Sequence, residues 1–485
     1  MNRKMICNMV GRIVLLEAAL MLIPLIVSIT YGEKCVTSFI LTILFAVVIG
    51  AALVAASRMR DSTIFAKEGF VIVAFAWLVL SAIGALPFVI SGEIPHYVDA
   101  FFETVSGFTT TGATILTDIE AMSKGLLFWR SFTHWMGGMG VLVLVMAIIP
   151  SESGRAIHIM RAEVPGPIVG KIVPRIRETA KTLYLMYMAL TVAEVIFLLC
   201  GGMSLYESLI HTFGSAGTGG FSCRADSIAS YSPYLQWVIT VFMLMFGVNF
   251  NVYFLIMVRN FKAVLKSGEL WCYLGIAVVS GGIITLNILP RYTTFGEALR
   301  HGYFQMSSIM TTTGFTTADF NQWPTLSKAI LLMLMFSGAC AGSTGGGLKV
   351  SRVMLLFKQI RREIQSLLHP RSVGTIRLEG KRVDSRTLTS VSNYFALYIV
   401  CFVAMFLILC LEPYDIETNF SAVAACFNNI GPGLAAVGPV ESYAGYSVLS
   451  KIVLSVGMLL GRLEIYPLLL AIPSIIKPNL LRSRK

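Results

Sequence analysis

Along this chain, apolar runs of about twenty residues, the length that crosses a hydrocarbon layer as a helix, alternate with short polar or amphiphilic stretches. They place membrane-spanning helices near residues 10–30, 36–56, 69–90, 128–149, 181–201, 234–258, 271–289, 328–357, 392–411 and 447–472. The expected fold class is an all-α polytopic membrane protein with ten transmembrane helices. The opening Met1-Asn2-Arg3-Lys4 and the apolar run behind it have the outline of a secretory leader. No small-x-small cleavage pattern closes the run, so it reads as the first helix.

A longer repeat lies over this alternation. Four glycine-containing runs each follow an amphiphilic stretch and precede an apolar one: Thr109-Thr110-Thr111-Gly112-Ala113-Thr114, Thr218-Gly219-Gly220-Phe221-Ser222, Thr311-Thr312-Thr313-Gly314-Phe315-Thr316 and Asn428-Asn429-Ile430-Gly431-Pro432-Gly433. The key glycines Gly112, Gly220, Gly314 and Gly431 are spaced 108, 94 and 117 residues apart. Thirteen residues before each glycine begin matching frames: Asp99 to Glu103, Glu207 to His211, His301 to Gln305 and Thr418 to Ala422. A single glycine of this kind is readily a packing residue between membrane helices. Four at corresponding positions, each with the same upstream frame, make one unit used four times.

Each amphiphilic stretch is too short to cross a bilayer and is expected to be re-entrant. Non-helical backbone at membrane depth is tolerated only where protein buries it or water reaches it, so four such loops around one axis line a pore. Glycine allows angles that turn successive carbonyls inward, while threonine adds a hydroxyl oxygen and a stiff backbone. The expected potassium-binding residues are Thr110, Thr111 and Gly112; Thr218, Gly219 and Gly220; Thr312, Thr313 and Gly314; and Asn429, Ile430 and Gly431. Potassium at this filter is the only metal expected. A half-helix entering from outside aims its partly negative C-terminal end at the pore and favours cations. The loops hold no ring of Asp or Glu, as a divalent site would use, and neutral carbonyls suit a large, weakly hydrated ion.

Composition agrees: mean hydropathy is +0.76, with 56% hydrophobic and 13% charged residues. Of the 38 Lys and Arg, 29 fall in one set of inter-helix loops, which assigns both termini to the cytoplasm. The net charge of +12 is divided among loops rather than massed on one domain. It signals topology and attraction to the lipid bilayer, and no nucleic-acid partner. The nine cysteines, among them Cys200, Cys401 and Cys410, show no ligand spacing and read as reduced core packing. The six scattered histidines and the lack of paired carboxylates within apolar spans argue against an enzyme, and no catalytic residue is expected.

These motifs resemble the Trk/Ktr/HKT superfamily of potassium transporters, most closely the bacterial TrkH/TrkG-type membrane subunits, over nearly the whole chain. The resemblance also rests on Trp135-Met136-Gly137-Gly138-Met139-Gly140, the loop from Arg161 to Pro167, Glu178 to Leu183, the segment Gly338 to Lys349, and Gly461-Arg462-Leu463-Glu464. It implies an N-terminal helix pair over 1–62 and four helix-pore-helix repeats over 63–155, 156–266, 267–370 and 371–485, the third with a broken inner helix. It further implies a homodimer of two separate pores in a prokaryotic inner membrane, gated by a cytosolic TrkA-type RCK subunit. Nucleotide is then expected only on that partner, with no cofactor besides potassium on this chain. A serine at the first filter glycine goes with sodium permeation in the superfamily, and Gly112 stands there. The second and fourth runs depart from the threonine-rich form, so selection is expected to be less sharp than with four identical quarters.

The eighth span contains Ser337 to Lys349 with five glycines, and glycine costs about 1 kcal/mol relative to alanine in a helix interior. A phosphate-binding loop is excluded because Leu348 separates Gly347 from Lys349 and no strand precedes it. The family resemblance assigns this segment the role of a movable barrier under the filter, with Gly345, Gly346 and Gly347 as hinge and Lys349 as cytoplasmic anchor. Arg462 lies roughly 22 Å along the last span at 1.5 Å per residue, and at that depth it should face water or a partner. It is expected to oppose cations near the glycine loop, with Glu464 on a different helix face and not its partner. The basic stretch through Arg361, Arg362, Arg371, Arg377, Lys381, Arg382 and Arg386 continues the broken helix and offers a docking site for the regulator. The function expected is gated potassium uptake. The alternative left open is an ion-coupled secondary transporter, a proton or sodium symport, whose titratable candidates are Glu17 and Glu194 within apolar spans.

Overall fold

The computed structural model describes residues 3–57, 66–140, 176–371 and 374–476, and these are nearly all helical. Among the described residues, six helical segments are long and apolar enough to cross a membrane: Arg3–Thr30, Val36–Ala56, Glu68–Ser91, Ala180–Cys200, Gly268–Arg291 and Ser385–Leu409. The first breaks at Met21, because Pro24 has no N–H to give the Leu20 carbonyl. Outward faces are apolar. Val36–Ala56 is only 22% buried and exposes Leu41, Leu44, Phe45 and Val48. Such a surface is stable facing hydrocarbon and costly in water.

The expected straight span at 234–258 is instead two helices, Pro233–Phe246 and Phe250–Met257, bent by 90°. Asn249 caps the second by accepting from the Asn251 N–H. The Phe246 and Gly247 carbonyls, freed by the bend, accept from the Thr344 hydroxyl at 3.2 Å and the Cys340 N–H at 3.1 Å. The eighth expected span is interrupted over 338–349, between Thr325–Ser337 and Val350–Leu368. The last breaks between Val448–Arg462 and Tyr466–Ile476, where Glu464 and Ile465 have φ of +59° and +63°. The remaining expected span, 128–149, begins within Lys124–Gly138 and runs outside the described residues after 140, as does the loop at 161–167.

Inside the long helices lie four short ones: Tyr97–Phe108, Leu205–Gly217, Phe295–Met310 and Ile416–Phe427. Ser204, Thr294 and Asp415 cap the last three by accepting from the N–H of Glu207, Glu297 and Thr418. Hydrogen bonds from Thr418 hold the Asp415 carboxyl below its usual range. The basic stretch past 350 is no open loop. Val350–Leu368 continues as helix, and a hairpin of Arg377–Leu378 and Lys381–Arg382 packs a satellite core with Leu355, Leu388 and Val391. Cys200 and Cys410 are exposed rather than packed in the core, since both end helices that face outward.

Candidate functional site at the convergence of four glycine turns

All four short helices end the same way. Thr110, Thr218, Thr312 and Asn429 adopt φ of +55°, +55°, +59° and +57°. In each turn that residue's N–H bonds back three residues and the next N–H bonds back five, as with Thr110 to Gly107 at 3.1 Å and Thr111 to Ser106 at 2.8 Å. This is a Schellman closure, normally built on glycine or asparagine. Threonine is β-branched and seldom left-handed, and each such residue stores about 1–3 kcal/mol that the surroundings must hold.

Two residues on, Gly112, Gly220, Gly314 and Gly431 also have positive φ, from +77° to +98°. Each lies against the carbonyl of the residue before the next glycine. A β-carbon on Gly112 would overlap the Gly219 oxygen, one on Gly220 the Thr313 oxygen, and one on Gly314 the Ile430 oxygen. A β-carbon on Gly431 would lie 2.7 Å from the Thr111 oxygen, which closes the ring. The four turns therefore meet in chain order around one axis, and only glycine fits at these positions. They open on a vestibule lined by the four glycines with Phe221, Thr316 and Tyr443. The four short helices end here, so their negative ends, each about half an elementary charge, converge on the ring.

Side chains behind the ring lock it. The Thr109 and Thr111 hydroxyls are 2.8 Å apart, and those of Thr311 and Thr313 are 2.7 Å apart. Asn429 donates from Nδ2 to the Thr111 hydroxyl at 3.0 Å and to the Met458 carbonyl at 2.9 Å, joining the fourth turn to the first. Between the first and second turns stands a buried ion pair, Arg130 Nε to Glu103 Oε1 at 2.5 Å, with side chains 2% and 0% exposed. Glu103 also accepts from the Ile115 N–H at 3.0 Å and the Thr114 hydroxyl at 2.9 Å, while Arg130 donates to the Ser222 carbonyl at 3.1 Å. Glu103 ends the first of the four matching frames, but sequence alone gives it no partner. Arg130 falls at the start of an expected span, where a charge is unremarkable.

Directly against the ring lies the segment 338–349. The Gly346 N–H donates to the Thr312 hydroxyl at 2.6 Å, and a β-carbon there would overlap the Asn428 carbonyl. A β-carbon on Gly345 would lie 2.9 Å from the Thr311 carbonyl, and Gly347 turns with φ of +71°. Lys349 is 2% exposed and donates inward to the Gly345 carbonyl, closing the loop on itself. Arg462 donates to the Thr344 carbonyl at 2.8 Å and to the Gly137 and Gly138 carbonyls at 2.5 and 2.6 Å. Glu269 accepts from the Ala341 N–H at 2.7 Å. Glu464 pairs with Arg352 at 2.5 Å, so it belongs to the helix below the loop and not to Arg462. The twelve ring residues, the four loop residues and Arg462 named from the sequence thus lie together. Among the pairs that sequence reasoning missed are Glu103 with Arg130, Asp99 with Lys451, and Arg352 with Glu464.

A family model described as TrkH, cation transport protein, matches residues 36–270 and 291–479. The chain is 38% identical over 477 residues to the Trk system potassium uptake protein TrkH of Escherichia coli K12, covering 97% of this chain and 98% of that protein. It is 34% identical to TrkG of the same organism, covering 96% and 97%. The crystal structure of the potassium transporter TrkH from Vibrio parahaemolyticus superposes with a TM-score of 0.87 at 36% identity, covering 97% and 98%.

Proposed function

The chain belongs to the TrkH family of cation transport proteins, and from that membership we propose that it takes up potassium through a single pore whose selectivity filter is the ring of four glycine turns. The observation that carries this reading is the closed contact of each glycine with the next turn's carbonyl. Carbonyls of Thr111, Gly219, Thr313 and Ile430, with those of the residues beside them, replace the hydration shell of a bare monovalent cation. Helix ends supply negative potential without a carboxylate that would trap the ion.

The 338–349 loop acts as the barrier. It lies against Thr312 and Asn428, and Lys349 and Arg462 bring positive charge to it. A cytosolic nucleotide-binding subunit moves the loop through the basic helix Val350–Leu368, which continues from it. Two copies of the chain form a dimer of independent pores in the inner membrane, with both termini in the cytoplasm. Relatives named as members of a Trk system support a partnership with other components of such a system. The protein performs transport and no chemical catalysis.

The test is potassium against sodium flux through purified protein in liposomes, native against Gly112→Ser. Potassium preference that is lost in the variant supports the filter, and flux indifferent to Gly112 overturns it. Ion-coupled symport is favoured by one observation: Glu17 and Glu194 are fully buried carboxylates with no ion-pair partner among the described residues. Abolition of gradient-driven uptake in Glu17→Gln or Glu194→Gln, with passive flux intact, would move the assignment to coupling.

A further inference from the structure

The second turn lacks the side chains that brace its neighbours. Three residues and one residue before their glycines, the first and third turns carry Thr109 and Thr111, and Thr311 and Thr313; the second has Gly217 and Gly219. Those threonine pairs hold their turns hydroxyl to hydroxyl. Two glycines leave a backbone that is costly to order unless something outside supports it.

His134 occupies the vacated space. A β-carbon on Gly217 would overlap the His134 carbonyl, and one on Gly219 would fall among the imidazole atoms Cγ, Nδ1 and Cδ2. The imidazole is fully buried and stacks on Phe221 with centroids 4.2 Å apart. Its Nδ1 lies 2.7 Å from the Gly107 carbonyl, to which it donates when that nitrogen carries the proton. One helical turn earlier, the Arg130 guanidinium sits 3.5 Å over the same Phe221 ring. The imidazole thus bridges the first short helix and the second turn.

We propose that His134 is a positioning residue for the ion path, its imidazole standing in for the missing threonine side chains and fixing the direction of the Gly219 carbonyl. The inference rests on the reading of the four turns as a filter. It makes His134 and Gly219 a complementary pair, each fitted to the volume of the other.

The experiment compares potassium and sodium flux in liposomes for native protein, His134→Ala, Gly219→Thr and the double variant, with monodispersity on gel filtration checking the fold. His134→Ala, which empties the space beside Gly217 and Gly219, is expected to lower the potassium preference roughly tenfold or more, the scale of leaving a buried side chain's volume unfilled. Gly219→Thr is expected to abolish it, and the double variant to recover preference above either single one. His134→Asn, which keeps a donor and loses the ring, is read in parallel and is expected to match His134→Ala. Native protein with no potassium preference overturns the filter reading itself. Native preference that survives in folded His134→Ala or His134→Asn, or a folded double variant no better than Gly219→Thr, overturns the positioning role alone.

Discussion

Glu103→Gln removes one charge and almost no volume from the seam between the first and second turns, so its effect isolates the electrostatic contribution of the buried pair. The carboxylate accepts from Arg130 at 2.5 Å, the Ile115 N–H at 3.0 Å and the Thr114 hydroxyl at 2.9 Å. Glutamine keeps one acceptor oxygen and turns an NH2 toward the other donors. Arg130, 2% exposed, is left with the neutral Ser222 carbonyl and the Phe221 face. Breaking a buried pair from one side costs about 3–5 kcal/mol, because an uncompensated charge stays behind. For a long chain that lowers the melting temperature by roughly 5–10 °C. The assay is tryptophan fluorescence on heating the detergent-purified protein, with flux measured well below the transition. Ile115 and Ser222 follow the glycines of the two turns, so potassium preference should fall as well. Glu103→Met with Arg130→Met removes both charges and should melt closer to the native protein than either single variant does. A Glu103→Gln protein that melts within about 2 °C of native with unchanged preference would refute the argument.

Arg462→Ala removes a hydrogen bond to the glycine loop at Thr344 and two to the Gly137 and Gly138 carbonyls, together with a positive charge; ion flux in the absence of any partner should rise, and unchanged flux in a well-folded variant counts against the barrier. Gly346→Ala places a methyl group against the Asn428 carbonyl, so the loop must withdraw from the ring, and basal flux should again increase; equal or lower flux at native melting temperature contradicts this. Lys451 pairs with Asp99 at 2.7 Å across the join of the fourth and first units, mostly buried. Asp99→Lys should lower the melting temperature, and adding Lys451→Asp should restore much of it; a double variant as unstable as the single one shows that the pair contributes little.

The membrane class, most of the long helices and the four turns were legible in the sequence because each depends on residues close along the chain. Span length, glycine placement and the repeated frame before each glycine are local facts, whereas the left-handed Thr110, Thr218 and Thr312 are held by their surroundings. What the sequence left open were the breaks. The bend at Gly247 to Asn249 reads as ordinary apolar span, since the groups that satisfy its freed carbonyls, Cys340 and Thr344, lie far along the chain. The same holds for the supports of the ring. Asn429 reaches Thr111 across 318 residues and Arg462 reaches Gly137 across 325. Arg130 looks like a charge at a helix start until the fold places Glu103 beside it, and Gly219 looks like a bare departure from the threonine pattern until His134 is seen in the space its side chain would need. Backbone preference and hydrophobic period act over a few residues, and the sequence by itself determined what they control. Which buried charge meets which partner, and which volume is already filled, are properties of distant segments brought together, and only the tertiary structure decided them.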